Sequence, residues 1–284
     1  MDLRQNILVG VDFRAGSSEL SVGSQKAARQ AAWIAGQNGA RVCLLHSTYP
    51  EEGGGRSPGE LKPDHHAALE SLVGELSREV SACELAIVEG KAWREITERV
   101  LSGAVDLVVV GKRNGSGETE PRLGSVAAKL VRNCPGPVWC VRPEHDLGMR
   151  LLLAASDLTP VGAKVCASAA WIAKRHACEL HLLHAYASQS ADASVDDMRQ
   201  AAKEALVQAA AEPTLEPSTH LVKGKASAAI REAVEHLGPD LLVLGATSRG
   251  EPGHLLGDTA ERVVTRVPCS LLTFKPDDFV SPLS

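Results

Sequence analysis

The chain has 284 residues, of which 44% are hydrophobic and only 3% aromatic, and its 30 basic and 35 acidic side chains leave a formal net charge of -5. A chain of this length folds as two domains or as one large one, and either buries a core without disulfide or metal support. The mild acidity and the scarcity of aromatic residues argue against nucleic-acid binding. No apolar run is long enough to cross a membrane, and the first residues lack the pattern of a secretory signal. We therefore expect a cytoplasmic protein that contacts neither nucleic acid nor membrane.

Short apolar runs alternate with helix-like stretches along the first half of the chain. Runs such as ILVGV and LVVVG are continuously apolar, which is typical of parallel strands that are covered on both faces. The predicted strands lie at 7–12, 41–47, 84–88, 107–111 and 138–141, and the predicted helices at 18–38, 64–82, 92–103 and 125–133. This alternation predicts an α/β fold with a five-stranded parallel sheet flanked by helices.

The second half of the chain repeats the first half in the same order. Its predicted strands lie at 151–155, 179–185, 219–222, 241–245 and 271–274. Five pairs of segments match at offsets between 133 and 138 residues: 31–36 with 169–174, 41–47 with 179–185, 88–93 with 222–227, 106–112 with 240–246, and 124–132 with 257–265. Duplication therefore predicts two tandem Rossmann-like domains, 1–146 and 147–284, joined by a short connector rich in charge, Pro and Gly.

The seven cysteines and the paired histidines favour structural roles. No Cys-x-x-Cys motif occurs, so we expect small core side chains in a reducing compartment, with redox sensing as the alternative. His46 and His184 end matching strands and are interpreted as structural histidines rather than catalytic ones. The other histidines lack a clear ligand set, so no metal site and no catalytic residue is assigned.

The segment after the fourth predicted strand carries the most specific chemical signal. It reads GKRNGSGETEPRLGSV from 111 to 126, with a predicted helix directly after it. Free N–H groups at the start of a helix attract phosphate, and open parallel sheets bind ligands at the carboxyl ends of their strands. Glu118 and Glu120 nearly balance the basic residues of the loop, which leaves open weak binding or binding with a divalent cation.

This segment resembles the nucleotide-binding motif of the universal stress protein family, Gly-x-x-Gly followed by nine residues and Gly-Ser or Gly-Thr. Gly111 and Gly124 match its glycines, while Asn114 replaces the second one; Asn tolerates positive φ well. The family also has an Asp after its first strand that faces the adenosine, matched by Asp12, and a valine early in the second strand that touches adenine, matched by Val42. The closing segments GDTAERV and KPDDF resemble the tandem, E-type members.

The resemblance implies an adenine nucleotide alpha hydrolase-like fold that binds ATP or another adenine nucleotide, with or without Mg²⁺. It also implies a role in stress survival through protein partners that the sequence does not identify. The two domains would pair as an intramolecular pseudo-dimer, with further dimerisation open. The residues implied in nucleotide binding are Asp12, Val42, Gly111, Arg113, Asn114, Gly115, Gly124, Ser125 and Val126.

The second copy departs from the motif. Asp157 matches Asp12 in an alignment that has one residue inserted before it; Gly245 is kept, but Ser248 replaces the second glycine. The loop is one residue shorter, and Asp258 stands where the first copy has Ser125. A carboxylate at that position would repel a phosphate. We therefore expect the first copy to bind nucleotide, and the second to be degenerate or to bind another ligand.

Two other functions stay open from the sequence. A slow ATP hydrolase is one, although no general base, arginine finger or Walker lysine can be assigned. A nucleotide-free scaffold, or a carrier of another small ligand, is the other. Asp12 can also be interpreted as a turn-capping residue without any ligand.

Overall fold

The computed structural model describes residues 5–49, 61–112, 123–143, 148–186, 215–246, 257–264 and 267–284, with a few residues between 200 and 208. Contacts divide the chain into two compact units, residues 1–147 with 279–284, and residues 148–278. The domain boundary after residue 146 stays a prediction. None of the described helices is long and apolar enough to span a membrane.

The first unit is a five-stranded parallel sheet with the order β3-β2-β1-β4-β5. Its strands are β1 (Asn6–Gly10), β2 (Arg41–Ser47), β3 (Ala82–Val88), β4 (Leu107–Gly111) and β5 (Val138–Val141). Its helices are α1 (Val22–Asn38), α2 (Pro63–Leu76), α3 (Ala92–Leu101) and α4 (Ser125–Asn133). The predicted parallel α/β architecture is confirmed.

The helices of the first unit cover both faces of its sheet. A Cβ added at Gly10 would contact Ile96 of α3, whereas one added at Gly111 would meet Gly23 of α1. Gly10 pairs with Val110, and side chains alternate along a strand. Therefore α1 and α3 lie on opposite faces, which explains why β1 and β4 are continuously apolar.

The second unit has the order β8-β7-β6-β9-β10, again with parallel pairing. Its strands are β6 (Leu151–Ala155), β7 (Glu179–Tyr186), β8 (Ser218–Lys223), β9 (Leu241–Gly245) and β10 (Ser270–Phe274). Its described helices include α5 (Pro160–His176), α6 (Ala226–Leu237) and α7 (Asp258–Val264). The strand order and the parallel pairing therefore repeat those of the first unit.

Two predicted helix ends were wrong. The first helix begins at Val22 rather than at 18, because the hydroxyl of Ser21 caps it and residues before it form a hairpin. The second helix ends at Leu76 rather than at 82, because a turn follows in which Glu79 N–H bonds to the carbonyl of Leu76. The predicted helix 125–133 coincides with α4.

The ends of α1 and α5 provide a matched pair for a stability prediction. Gly39 follows α1 with φ 65°, and the corresponding Ala177 follows α5 with φ 50° and is exposed. Since a left-handed backbone favours glycine, we expect Ala177→Gly to raise the free energy of unfolding of the second unit by about 1 kcal/mol. Urea unfolding would measure this change. Gly39→Ala should lose a similar amount in the first unit, and a loss on Ala177→Gly would contradict the prediction.

Candidate functional site

The order of strands in the first unit creates a crevice between β1 and β4. The chain runs outward from β1 to β2 and β3 on one side, and from β4 to β5 on the other. Such a reversal point, at the carboxyl ends of the strands, is where open α/β sheets bind ligands. Asp12 follows β1 and Gly111 ends β4, so the structure brings these two predicted site residues to the same edge.

Asp12 is exposed and is held by the start of α1. Its Oδ1 accepts hydrogen bonds from the hydroxyls of Ser21 and Ser24, the latter at 2.7 Å. Its N–H donates to Ser24 Oγ at 2.8 Å. Within the described residues, Oδ2 accepts no hydrogen bond. The carboxylate is thus fixed through one oxygen, and the other oxygen can accept from a ligand hydroxyl.

The start of α4 has N–H groups that find no acceptor among the described residues. Gly124 is its N-cap, with φ -65° and ψ 166°, and contributes no side-chain cap. The first helical bond runs from Ala128 N–H to the Gly124 carbonyl at 2.9 Å, which leaves the N–H groups of Ser125, Val126 and Ala127 without helical acceptors. Ser125 Oγ is buried and, among the described residues, has no hydrogen-bond partner. Three N–H groups and one hydroxyl are therefore available to an anion.

Gly111 has a packing role that the sequence did not indicate. A Cβ at Gly111 would lie 2.3 Å from the carbonyl carbon of Gly23, and a Cβ at Gly23 would lie 2.6 Å from the Lys112 carbonyl oxygen. The two glycines let the end of β4 touch the first turn of α1. The early glycine in VGSQKAA was the only sequence signal for this contact.

Lys112 adds a buried positive charge beside the same strand end. Its side chain is 2% exposed, and its N–H donates to the Val141 carbonyl at 2.8 Å. Burial raises the pKa of the neighbouring Cys140 thiol to about 12, and the charge of Lys112 opposes that rise. From the sequence, Lys112 was expected only to balance the negative charge of the loop residues Glu118 and Glu120.

Val42 is not brought to this edge. It is the second residue of β2, is 1% exposed and pairs with Ile7 and Cys83 near the amino ends of β1 and β3. The residue of β2 at the carboxyl end is Ser47, whose hydroxyl donates to the Gly90 carbonyl at 2.6 Å. A parallel strand rises about 3.3 Å per residue, so Val42 lies far from Asp12. Arg113, Asn114 and Gly115 lie outside the described residues.

His46 and His184 contact the backbone carbonyl groups directly before the two aspartates. Nδ1 of His46 is 3.0 Å from the Val11 carbonyl oxygen, and Nδ1 of His184 is 2.9 Å from that of Ser156. Burial lowers the pKa of His46, which keeps its imidazole neutral with Nδ1 as the donor. Both contacts agree with the structural interpretation of these histidines.

The first unit has a hairpin at residues 13–20, which the equivalent described segment of the second unit, 158–159, lacks. Phe13 and Leu20 form an antiparallel bridge, and Arg14 pairs with Glu19 at 3.1 Å. The Phe13 ring stacks on His65 of α2 at 4.1 Å between centroids, with an interplanar angle of 15°. Eight residues separate Asp12 from the N-cap Ser21, whereas one separates Asp157 from its N-cap Thr159. The sequence analysis did not predict this insertion, although the two copies differ in the number of residues between the aspartate and the next helix.

The strand register corrects the alignment of the second copy. Leu107 pairs with Ile7 and Leu241 with Leu152, so Asp157 is the direct equivalent of Asp12 and no residue is inserted before it. Its Oδ1 accepts from the Thr159 hydroxyl at 2.5 Å and from the Thr159 N–H at 3.1 Å. The second unit therefore keeps the aspartate, but the helix after β9 begins at Asp258, whereas α4 begins at Ser125.

Comparison with known proteins identifies the family. The family model described as "Universal stress protein family" matches residues 4–142 and 149–275. Universal stress protein E of Escherichia coli K12 is 28% identical over 227 residues, which cover 70% of each chain. That of Photorhabdus laumondii is 23% identical, covering 98% of this chain and 97% of its own. The crystal structure of a universal stress protein from Pseudomonas aeruginosa superposes with a TM-score of 0.75 at 23% identity, over 97% of this chain and 94% of that one. The chain belongs to the universal stress protein family, with two family domains in tandem.

Proposed function

We propose that the first unit binds an adenine nucleotide and that the second unit does not. The phosphates would accept hydrogen bonds from the N–H groups of Ser125, Val126 and Ala127 and from the Ser125 hydroxyl. The observation that carries the proposal is the buried Ser125 Oγ, which lacks a partner among the described residues. A buried hydroxyl left unpaired is costly, and an anion at the helix start would satisfy it.

The nucleoside end is proposed to lie beside Asp12. Its free Oδ2 can accept from the ribose hydroxyls, since Oδ1 is already occupied by Ser21 and Ser24. Support for adenine comes from the resemblance of the segments around Gly111 and Gly124 to the family motif. Because Val42 lies at the other end of β2, it is left out of the pocket, and Ser47 replaces it at the carboxyl edge.

The second unit differs at the position that receives the phosphate. Asp258 is the first residue of α7, whereas Ser125 is the first residue of α4. Two anionic groups at one helix start repel each other. We therefore assign the nucleotide to the first unit alone, as part of a stress response carried out through protein partners.

We also propose a cytoplasmic location for the protein. All seven cysteines lie within the described residues; none of them forms a disulfide, and five are buried. Free thiols in this number are usual in a reducing compartment. Burial raises the pKa of several of these thiols, to about 11 at Cys166 and Cys178, so they are protonated and unreactive at neutral pH.

Mass spectrometry of small molecules released from the freshly purified, denatured full chain would test the proposed function. We expect an adenine nucleotide, or else a rise in the thermal transition of the first unit when ATP, ADP or AMP is added, with and without Mg²⁺. Absence of both would reject nucleotide binding and favour the scaffold function. Turnover of ATP that persists in Gly124→Asp would be contamination rather than activity of this site.

A further inference from the structure

A buried indole nitrogen lies in the first turn of α3. Trp93 is the second residue of that helix, and its Nε1 is buried and has no hydrogen-bond partner among the described residues. An indole N–H can only donate, so its partner must be an acceptor. Because a buried donor that stays unpaired is costly, the indole indicates an acceptor that the described residues do not supply, as the Ser125 hydroxyl also does.

Lys129 places this indole beside the start of α4. Its Nζ lies 5.9 Å from the centroid of the Trp93 ring. Lys129 is one turn after Ser125 in α4, and helix residues four apart share a face, with side chains that lean toward the amino end. The lysine side chain therefore leans over the turn that begins with Ser125, and α3 packs against α4. Trp93 Nε1 and Ser125 Oγ consequently lie on the same side of α4, between the two helix starts.

Positive charge surrounds the indole. Both α3 and α4 begin without a side-chain cap, and the start of a helix carries partial positive charge. Lys129 adds a full charge, and the guanidinium carbon of Arg94 lies 5.4 Å from the centroid of the Trp93 ring. The acidic residue in the first turn of α3, Glu95, lies over Gly90, where an added Cβ would clash with its Oε1. Since Glu95 is two residues after the tryptophan, it points about 200° around the helix from it. The space between the two helix starts therefore favours an anion.

We propose that the Trp93 indole N–H and the Lys129 ammonium bind a second phosphate group of the nucleotide, which makes the first unit selective for a nucleoside di- or triphosphate. This assignment rests on the proposed function of that unit. A terminal phosphate has three acceptor oxygens, which the N–H groups and the Ser125 hydroxyl at the start of α4 can satisfy. The indole donor and the lysine charge are additional to these, and a charge-assisted hydrogen bond to a further phosphate suits them. Both polar atoms are buried, so the two helix starts must part slightly to admit the phosphates.

The second unit lacks the indole donor at the corresponding position. Alignment of α6 with α3 at their first residues makes Ser227 the counterpart of Trp93. Alignment of α7 with α4 in the same way makes Arg262 the counterpart of Lys129. The cation is kept, whereas the indole is replaced by a short hydroxyl side chain. This difference agrees with the assignment of the nucleotide to the first unit.

Calorimetric titration of the full chain with ATP, ADP and AMP tests the selectivity. The wild type should bind ATP and ADP more tightly than AMP. Trp93→Phe keeps an aromatic ring beside the cations and removes the N–H, so it should weaken ATP and ADP binding about tenfold without weakening AMP binding. Lys129→Met should act in the same direction. Trp171→Phe is the matched control, because that indole of the second unit also lies beside a cation, with the Arg175 guanidinium carbon 3.8 Å from its ring centroid, and it should leave all three affinities unchanged.

The indole N–H signals in nuclear magnetic resonance spectra of the isotope-labelled full chain give a readout that a merely structural role would not change. The Trp93 signal, assigned by its loss in Trp93→Phe, should move downfield when ATP or ADP is added, and the Trp171 signal should stay in place. Failure of the wild type to bind any of the nucleotides would overturn the proposed function and this selectivity with it. If the wild type binds ATP, an unmoved Trp93 signal, an unchanged ATP affinity in Trp93→Phe, or AMP binding as tight as that of ATP would overturn the selectivity alone.

Discussion

Ser125→Asp is expected to weaken adenine-nucleotide binding by the full chain about a hundredfold or more. Unit charges 4 Å apart repel by about 1 kcal/mol in water and about 4 kcal/mol at an effective dielectric constant near 20. An intermediate value of about 2.7 kcal/mol corresponds to a hundredfold change in Kd. The variant also removes the buried hydroxyl that would donate to the phosphate, so both effects act in the same direction. Isothermal titration calorimetry with ATP would measure the change.

The same variant should still form α4, because a carboxylate is favourable in the first turn of a helix. The second unit already has Asp258 at the start of α7. Ser125→Ala serves as the milder control, since it removes one hydrogen bond without adding charge, and should weaken binding about tenfold. An unchanged Kd in Ser125→Asp, with a folded protein, would show that the phosphates lie elsewhere.

Gly111→Ala is expected to destabilise the first unit by about 2–3 kcal/mol, which is the range for overpacking a tightly packed contact. The added Cβ would lie 2.3 Å from the carbonyl carbon and 2.5 Å from the carbonyl oxygen of Gly23. These are backbone atoms, so no side-chain rotation can relieve the clash and α1 must shift. Urea unfolding monitored at the first unit would measure the loss.

Two further glycine variants make that test specific. Gly23→Ala meets the Lys112 carbonyl oxygen at 2.6 Å and should be destabilised to a similar extent. Gly74→Ala lies within α2 and has no atom within 4 Å of the added Cβ. It should instead gain about 0.5–1 kcal/mol, since alanine favours a helix interior. Equal effects in Gly111→Ala and Gly74→Ala would refute the close contact between β4 and α1.

Patterns that depend on local sequence predicted the fold well. Continuous apolar runs such as LVVVG indicated buried parallel strands, and the structure places them at the centre of the sheet order. The repeat of segments such as 106–112 and 240–246 indicated the duplication, and the family model matches both copies. Gly111, Gly124 and Ser125 could be linked to one sheet edge because carboxyl ends of parallel strands share an edge.

Features that depend on long-range placement were harder to predict. Val42 was assigned from the resemblance alone, although its place at the amino end of β2 follows once strand direction is considered. The hairpin after Asp12 lacks the apolar pattern of a strand, so residues 18–21 resembled the beginning of a helix. The contact of Gly23 with Gly111 depends on packing between segments that are distant in the sequence.

The number of nucleotide sites per chain is the sharpest measure of the proposed difference between the two units. Calorimetric titration of the nucleotide-free full chain with ATP, in the presence of Mg²⁺, would give that number together with the affinity. The difference between Ser125 and Asp258 at the two helix starts predicts one site per chain, which Ser125→Asp removes. Two equivalent sites per chain, or one site that survives in Ser125→Asp, would contradict the assignment of the nucleotide to the first unit.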